Sequence, residues 1–201
     1  MSLKEITKDL HQDAERTEFA KKLLSGSISK KDYADYLYQM ALIYAPIEMA
    51  CRLQGFLDNL PGIERTHLIY QDFRELAGVD HDFKWRDSAI DYHNYLLDLI
   101  SDPERQHLIK AHMYCRHMGD LFGGQVIAKR VPGSGRFYQF KDAETLKAQI
   151  RAELTNDLGD EARVAFQWAI KIMRELNDEP GVADSDRYTR TFNGQFFQNG
   201  H

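Results

Sequence analysis

Apolar residues recur at spacings of three and four along almost the whole chain, and that pattern confines the fold to helices packed on helices. Ser2 followed by Glu5 is a capping-box pattern, and Leu3, Ile6, Leu10 and Ala14 then share one face, which predicts a first helix running through them. A short helix is expected over 18–24, stopped by Ser25-Gly26. Ser29 precedes a long stretch carrying Tyr33, Tyr36, Leu37, Met40, Tyr44 and Ile47, with Pro46 inside it as an expected kink or break. Further helices are expected from about Ile63 to Ala77, Arg86 to Ile100, Pro103 to Lys129, Asp142 to Thr155, and from Asp160 onward. Arg136 to Phe140 is a weak strand candidate. The expectation is an all-α, single-domain helical bundle of seven or eight helices over residues 1–177. Residues 178–201 are polar and without period, and read as an extended or loosely docked tail.

A chain of 201 residues can bury roughly 70% of its unfolded surface, so it requires neither disulfides nor a structural metal. Its formal net charge of −5 argues against nucleic acid as a partner. Two cysteines, Cys51 and Cys115, are too few for a disulfide framework and suit a reducing compartment. No apolar run approaches the ~18 residues of a membrane span, and Met1 to Glu5 lack the apolar core of a secretory signal. A soluble, cytoplasmic protein without a membrane anchor is expected.

The most informative stretch is Gly119-Asp120-Leu121-Phe122-Gly123-Gly124-Gln125. Each of its three glycines costs about 1 kcal/mol relative to alanine in a helix. Gly119, Asp120, Gly123 and Gly124 fall within roughly 140° of arc, with Met118, Leu121 and Phe122 on the other side, expected to face the core. Bare backbone admits a closely packed neighbour: either a crossing helix or a ligand. Asp120 suits a cavity holding ordered water, or solvent, or pairing with Arg116.

On the first helix Lys4, Lys8, His11 and Glu15 occupy about 60° of arc beside the apolar stripe. His11 reads either as a boundary histidine or as a metal ligand beneath two cations, an arrangement that suits an iron porphyrin with two carboxylates. Glu15 is placed to accept a hydrogen bond from the other imidazole nitrogen. Lys147 and Arg151 form an i,i+4 basic pair: a solvated face, or a second carboxylate-binding pair.

These segments resemble the heme oxygenases. Residues 3–15 are similar to that family's proximal helix, and residues 111–125 to its distal helix with the Gly-Asp-Leu-x-Gly-Gly-Gln signature. The resemblance extends from about residue 3 to 177. It implies heme held between the two helices, with His11 as iron ligand, Gly119, Gly123 and Gly124 over the heme face, and Asp120 organising distal water. Lys4, Lys8, Lys147 and Arg151 match propionate-binding positions. Tyr114, Arg116 and Tyr44 match pocket residues, and Phe166 a pocket wall. Phe122 stands where many members have serine, which reshapes the distal pocket, and Ala169 where some have an asparagine. The membrane anchor of eukaryotic members has no counterpart.

The resemblance implies that heme is both substrate and cofactor, that O2 is co-substrate, and that the α-meso carbon is oxidised to give biliverdin, ferrous iron and CO. No dinucleotide fingerprint or cysteine cluster supplies electrons, so a ferredoxin or similar small acidic carrier is expected, with a bilin reductase downstream. Two rival readings are a non-catalytic heme carrier or sensor, and a non-heme di-iron protein built on Glu64-x-x-His67 and Glu104-x-x-His107.

Overall fold

Most helices start where a side chain, local or distant, satisfies their free N–H groups. The computed structural model describes residues 2–78 and 83–177. Ser2 and Glu5 form the reciprocal capping box that opens α1 (Leu3–Ile6). The expected continuous first helix is then interrupted. Thr7 Oγ1 donates to the Leu3 carbonyl at 2.8 Å, competing with the helical ladder, and the chain resumes as α2 (Lys8–Glu15). Thr17 caps α3 (Glu18–Ser25), which ends on Gly26 at φ +76°, a left-handed conformation that glycine adopts without strain.

Ser29 caps α4 (Lys30–Leu53), which continues through Pro46, where a kink or a break was expected. Proline has no N–H for the carbonyl four residues earlier, that of Leu42. His93 Nδ1, from α6 (Asp87–Ser101), donates to that carbonyl at 2.9 Å and supplies the missing bond. The helix α5 (Thr66–Leu76) also starts on borrowed groups: Glu48 of α4 accepts the N–H of Arg65 at 2.6 Å and of Thr66 at 3.1 Å. Glu175 likewise accepts the N–H of Asp87 and Ser88 at 3.0 and 2.9 Å, opening α6.

The helix expected from Pro103 starts later. A turn and a 3₁₀ segment, Gln106–Leu108, precede α7 (Ile109–Ile127). The weak strand candidate is a 3₁₀ turn, Arg136–Tyr138, launched by Gly135 at φ +59°, and no strand occurs among the described residues. Asp142 caps α8 (Ala143–Glu153), and α9 (Gly159–Asn177) follows. The central α4 packs against α5, α6 and α7, while α9 packs against α2, α3, α6 and α7. Tyr33, Leu37, Ile43 and Ile47 of α4 are fully buried at the centre of the core. The expected tail, 178–201, lies outside the described residues.

Candidate active site

An ion pair seats α2. The Arg163 guanidinium of α9 spans the Asp9 carboxylate at 2.7 and 2.9 Å and donates to the Ile6 carbonyl at 2.7 Å. Hydrogen bonding from Arg163 holds the Asp9 carboxyl down to about 2. Two adjoining cavities, of about 330 and 660 Å³, are bordered by both α2 and α7, a size suited to a small-molecule ligand. His11, Glu15, Cys115, Gly119, Phe122 and Phe166 border both of them. The His11 Nδ1 lies 3.6 Å from Glu15 Oε1, and its ring meets Phe166 edge-on at 5.8 Å between centroids.

The glycines of α7 divide by role. A Cβ on Gly119 would meet nothing within 4 Å, and one on Gly123 only Ile127 Cδ1 at 4.0 Å, so these two keep the cavity wall flat. A Cβ on Gly124 would strike the Tyr138 ring at 2.8 Å. The expected position of Gly124 on the ligand face is therefore corrected: it is buried beneath the Arg136–Tyr138 turn and serves packing. Phe122 also departs from expectation. It is 53% exposed at the cavity border instead of facing the core.

Asp120 is buried and borders the smaller cavity, so neither solvent exposure nor direct pairing with Arg116 describes it. Its partner is the Tyr44 hydroxyl, which donates to Oδ2 at 2.7 Å. Burial pushes the Asp120 carboxyl up to about 6 and the Tyr44 phenol well above its ordinary value, so Tyr44 remains the donor. Arg116 is buried too, and its Nε and Nη2 have no protein partner. A buried guanidinium with free donors is suited to hold water or an anion at the cavity it borders.

Lys4, Lys8, Tyr114 and Arg151 border the larger cavity. Lys147 is among the lining residues of neither, and it is buried, which corrects the solvated-pair reading for that residue. Its ammonium pairs with Glu144 at 2.7 Å and sits 4.3 Å from the Phe122 ring centroid. Sequence reasoning missed Tyr36, Tyr138 and Cys115 as site residues. The Tyr138 hydroxyl donates to that of Tyr36 at 3.2 Å, and both tyrosines border the smaller cavity. Tyr36 fell in the apolar pattern of α4 and Tyr138 in the weak strand candidate, and only the adjoining bare backbone of α7 hints otherwise.

The other histidines of α7 are structural. His112 is buried between Tyr92 and Glu161, at 2.8 Å from each, and His117 contacts Glu48 at 2.9 Å. Glu64 and His67 border a separate surface cavity, while Glu104 and His107 are exposed. Among the described residues no three His, Cys, Asp or Glu side chains gather into a metal-binding group, which leaves the di-iron reading without a site. The residues present do fit an iron porphyrin: one imidazole, His11, and the flat Gly119 border both cavities, Gly123 borders the smaller, and Lys4, Lys8 and Arg151 border the larger.

A family model of heme oxygenase matches residues 1–175. The heme oxygenase of Pyropia yezoensis is 27% identical over 203 residues, covering 87% of this chain and 84% of that protein. Heme oxygenase 1 of Synechocystis sp. is 28% identical over 203 residues, covering 87% and 82%. The crystal structure of heme oxygenase-1 from Synechocystis sp. in complex with heme superposes with a TM-score of 0.73 at 25% identity, covering 87% of this chain and 90% of that one. Heme oxygenase from Leptospira interrogans shares the fold at a TM-score of 0.72 and 23% identity, covering 87% and 100%. A family match across nearly all of the described residues, on the same all-α scaffold, places this chain in the heme oxygenase family.

Proposed function

We propose that the protein cleaves heme at the α-meso carbon to biliverdin, ferrous iron and CO, consuming O2 and electrons from an external small acidic carrier such as a ferredoxin. The observation that carries this reading is that His11 and the side-chain-free Gly119 border the same slot, with the buried Asp120–Tyr44 pair on its inner side. When bound, heme supplies both the O2-activating iron and the carbon skeleton that is oxidised.

The chain's own residues then have distinct tasks. With Nδ1 of His11 turned toward Glu15, Nε2 is the nitrogen left for iron. Gly119 and Gly123 put no acid or base directly against the reacting face. Asp120, with its carboxyl near 6, holds or releases a proton at neutral pH and is positioned by Tyr44 to act through water. From there Asp120 would deliver protons through water and not by direct contact, because no side chain at Gly119 or Gly123 reaches the ligand face. The free donors of Arg116 help order water in the same cavity. Lys4, Lys8 and Arg151, which border the larger cavity, hold the propionates, and Lys147 adds its charge from beside Arg151, with Tyr114 and Phe166 as walls. The same cations give an otherwise acidic protein a patch on which an acidic electron donor docks. The setting is cytoplasmic, and biliverdin passes to a bilin reductase.

Hemin titration followed by a reductant system in air tests the reading. A Soret band that decays to a green bilin is expected. A stable Soret band would instead indicate a heme carrier.

A further inference from the structure

Phe122 carries two cations on one ring. The Lys147 ammonium lies 4.3 Å and the Arg151 guanidinium 5.3 Å from its centroid. The two are one helical turn apart on α8, so a single side chain of α7 fixes the pair. The attraction comes from the ring quadrupole, so an aliphatic residue of similar size would wall the cavity without holding the cations. The other partner of Lys147, Glu144, has an 86% exposed side chain, and an exposed carboxylate is a weak anchor. Phe122 is thus the contact that Lys147 and Arg151 share, and its ring borders both cavities.

We propose that Phe122 is a positioning residue that sets the in-plane orientation of the bound macrocycle. The inference rests on the heme-cleaving reading above. Heme carries its two carboxylates on one edge. Cations fixed in advance against the glycine helix restrict rotation of the macrocycle about the axis through His11. That restriction determines which meso edge is presented toward Asp120, and hence which bilin isomer forms. Phe122 reaches the reaction through Lys147 and Arg151, not by proton transfer.

The test compares Phe122→Leu, Phe122→Tyr and Lys147→Gln with the wild type, using full-length protein whose folding is checked by circular dichroism. Three quantities are read: hemin affinity as a function of salt, the heme-methyl proton NMR pattern of the ferric cyanide complex, and the bilin isomers released. Phe122→Leu is expected to weaken hemin binding roughly three- to tenfold at low salt and to split one heme-methyl pattern into two. Lys147→Gln should reproduce the splitting, and Phe122→Tyr should restore the wild-type pattern. A single unchanged pattern in Phe122→Leu overturns the proposal. So does a Phe122→Tyr variant as perturbed as Phe122→Leu, since packing alone would then explain both. A wild-type protein that binds no hemin overturns the parent reading as well, whereas hemin turnover with an indifferent Phe122 overturns only this inference.

Discussion

Asp120→Asn should make the protein more stable and less active, and the pH dependence of the stability gain tests the reasoning. Burial raises the Asp120 carboxyl from 3.8 to about 6. Between those values the folded state binds more protons than the unfolded state, so this group's contribution to stability falls as pH rises through the window. Asparagine carries no such titration, and its side-chain oxygen still accepts the Tyr44 hydroxyl. The variant's gain over wild type should therefore be about 1–2 kcal/mol at pH 5 and about 3 kcal/mol at pH 8. Most of that increase falls between pH 5 and 6, and for a chain of this length it widens the gap in melting temperature by about 3–6 °C. Thermal and urea unfolding of ligand-free wild type and variant at pH 5, 6, 7 and 8 measures it. A gap that stays constant, or narrows as pH rises, would refute the account of Asp120 as a buried, partly protonated carboxyl. The same variant should bind hemin normally yet form biliverdin about 100-fold more slowly or worse, since a neutral amide cannot relay the proton.

His11→Ala should change the ferric heme spectrum and strongly impair turnover; an unchanged spectrum and rate would remove the ligand assignment. Gly119→Ala and Gly124→Ala should diverge. The first adds up to about 1 kcal/mol of helix stability and lowers hemin affinity, while the second costs about 1–3 kcal/mol by driving a methyl into Tyr138, as unfolding and titration would show. His93→Leu should cost about 1–3 kcal/mol in urea unfolding, because it leaves the Leu42 carbonyl beside Pro46 without its donor. Little or no loss would mean that α4 tolerates Pro46 unaided.

Much of this molecule was legible from residue order, for local reasons. Ser2, Ser29 and Asp142 cap the helices they were expected to cap, because an N-cap needs only a short polar side chain two or three residues from a free N–H. The Gly-Asp-Leu-x-Gly-Gly-Gln run and the His11 helix pointed to one family because their chemistry is compact in sequence. Misses arose wherever a distant group intervened. Pro46 was expected to kink or break α4, but the helix continues through it, and a histidine from α6 bonds the carbonyl that the proline leaves without a donor. Phe122 was assigned to the core by its angle on the helix, yet its neighbours are cations from α8.

By itself, then, the sequence determined the helical class, most helix starts, the family and the bare-backbone helix, all set by periodicity, capping and short-range motif. Tertiary structure alone decided that Gly119 and Gly123 border the cavity while Gly124 packs on Tyr138, that Asp120 pairs with Tyr44, and that Lys147 rests on Phe122. Those outcomes depend on which surfaces meet when helices pack. The angle of a residue on its own helix says where its side chain leaves the axis, but not what stands opposite.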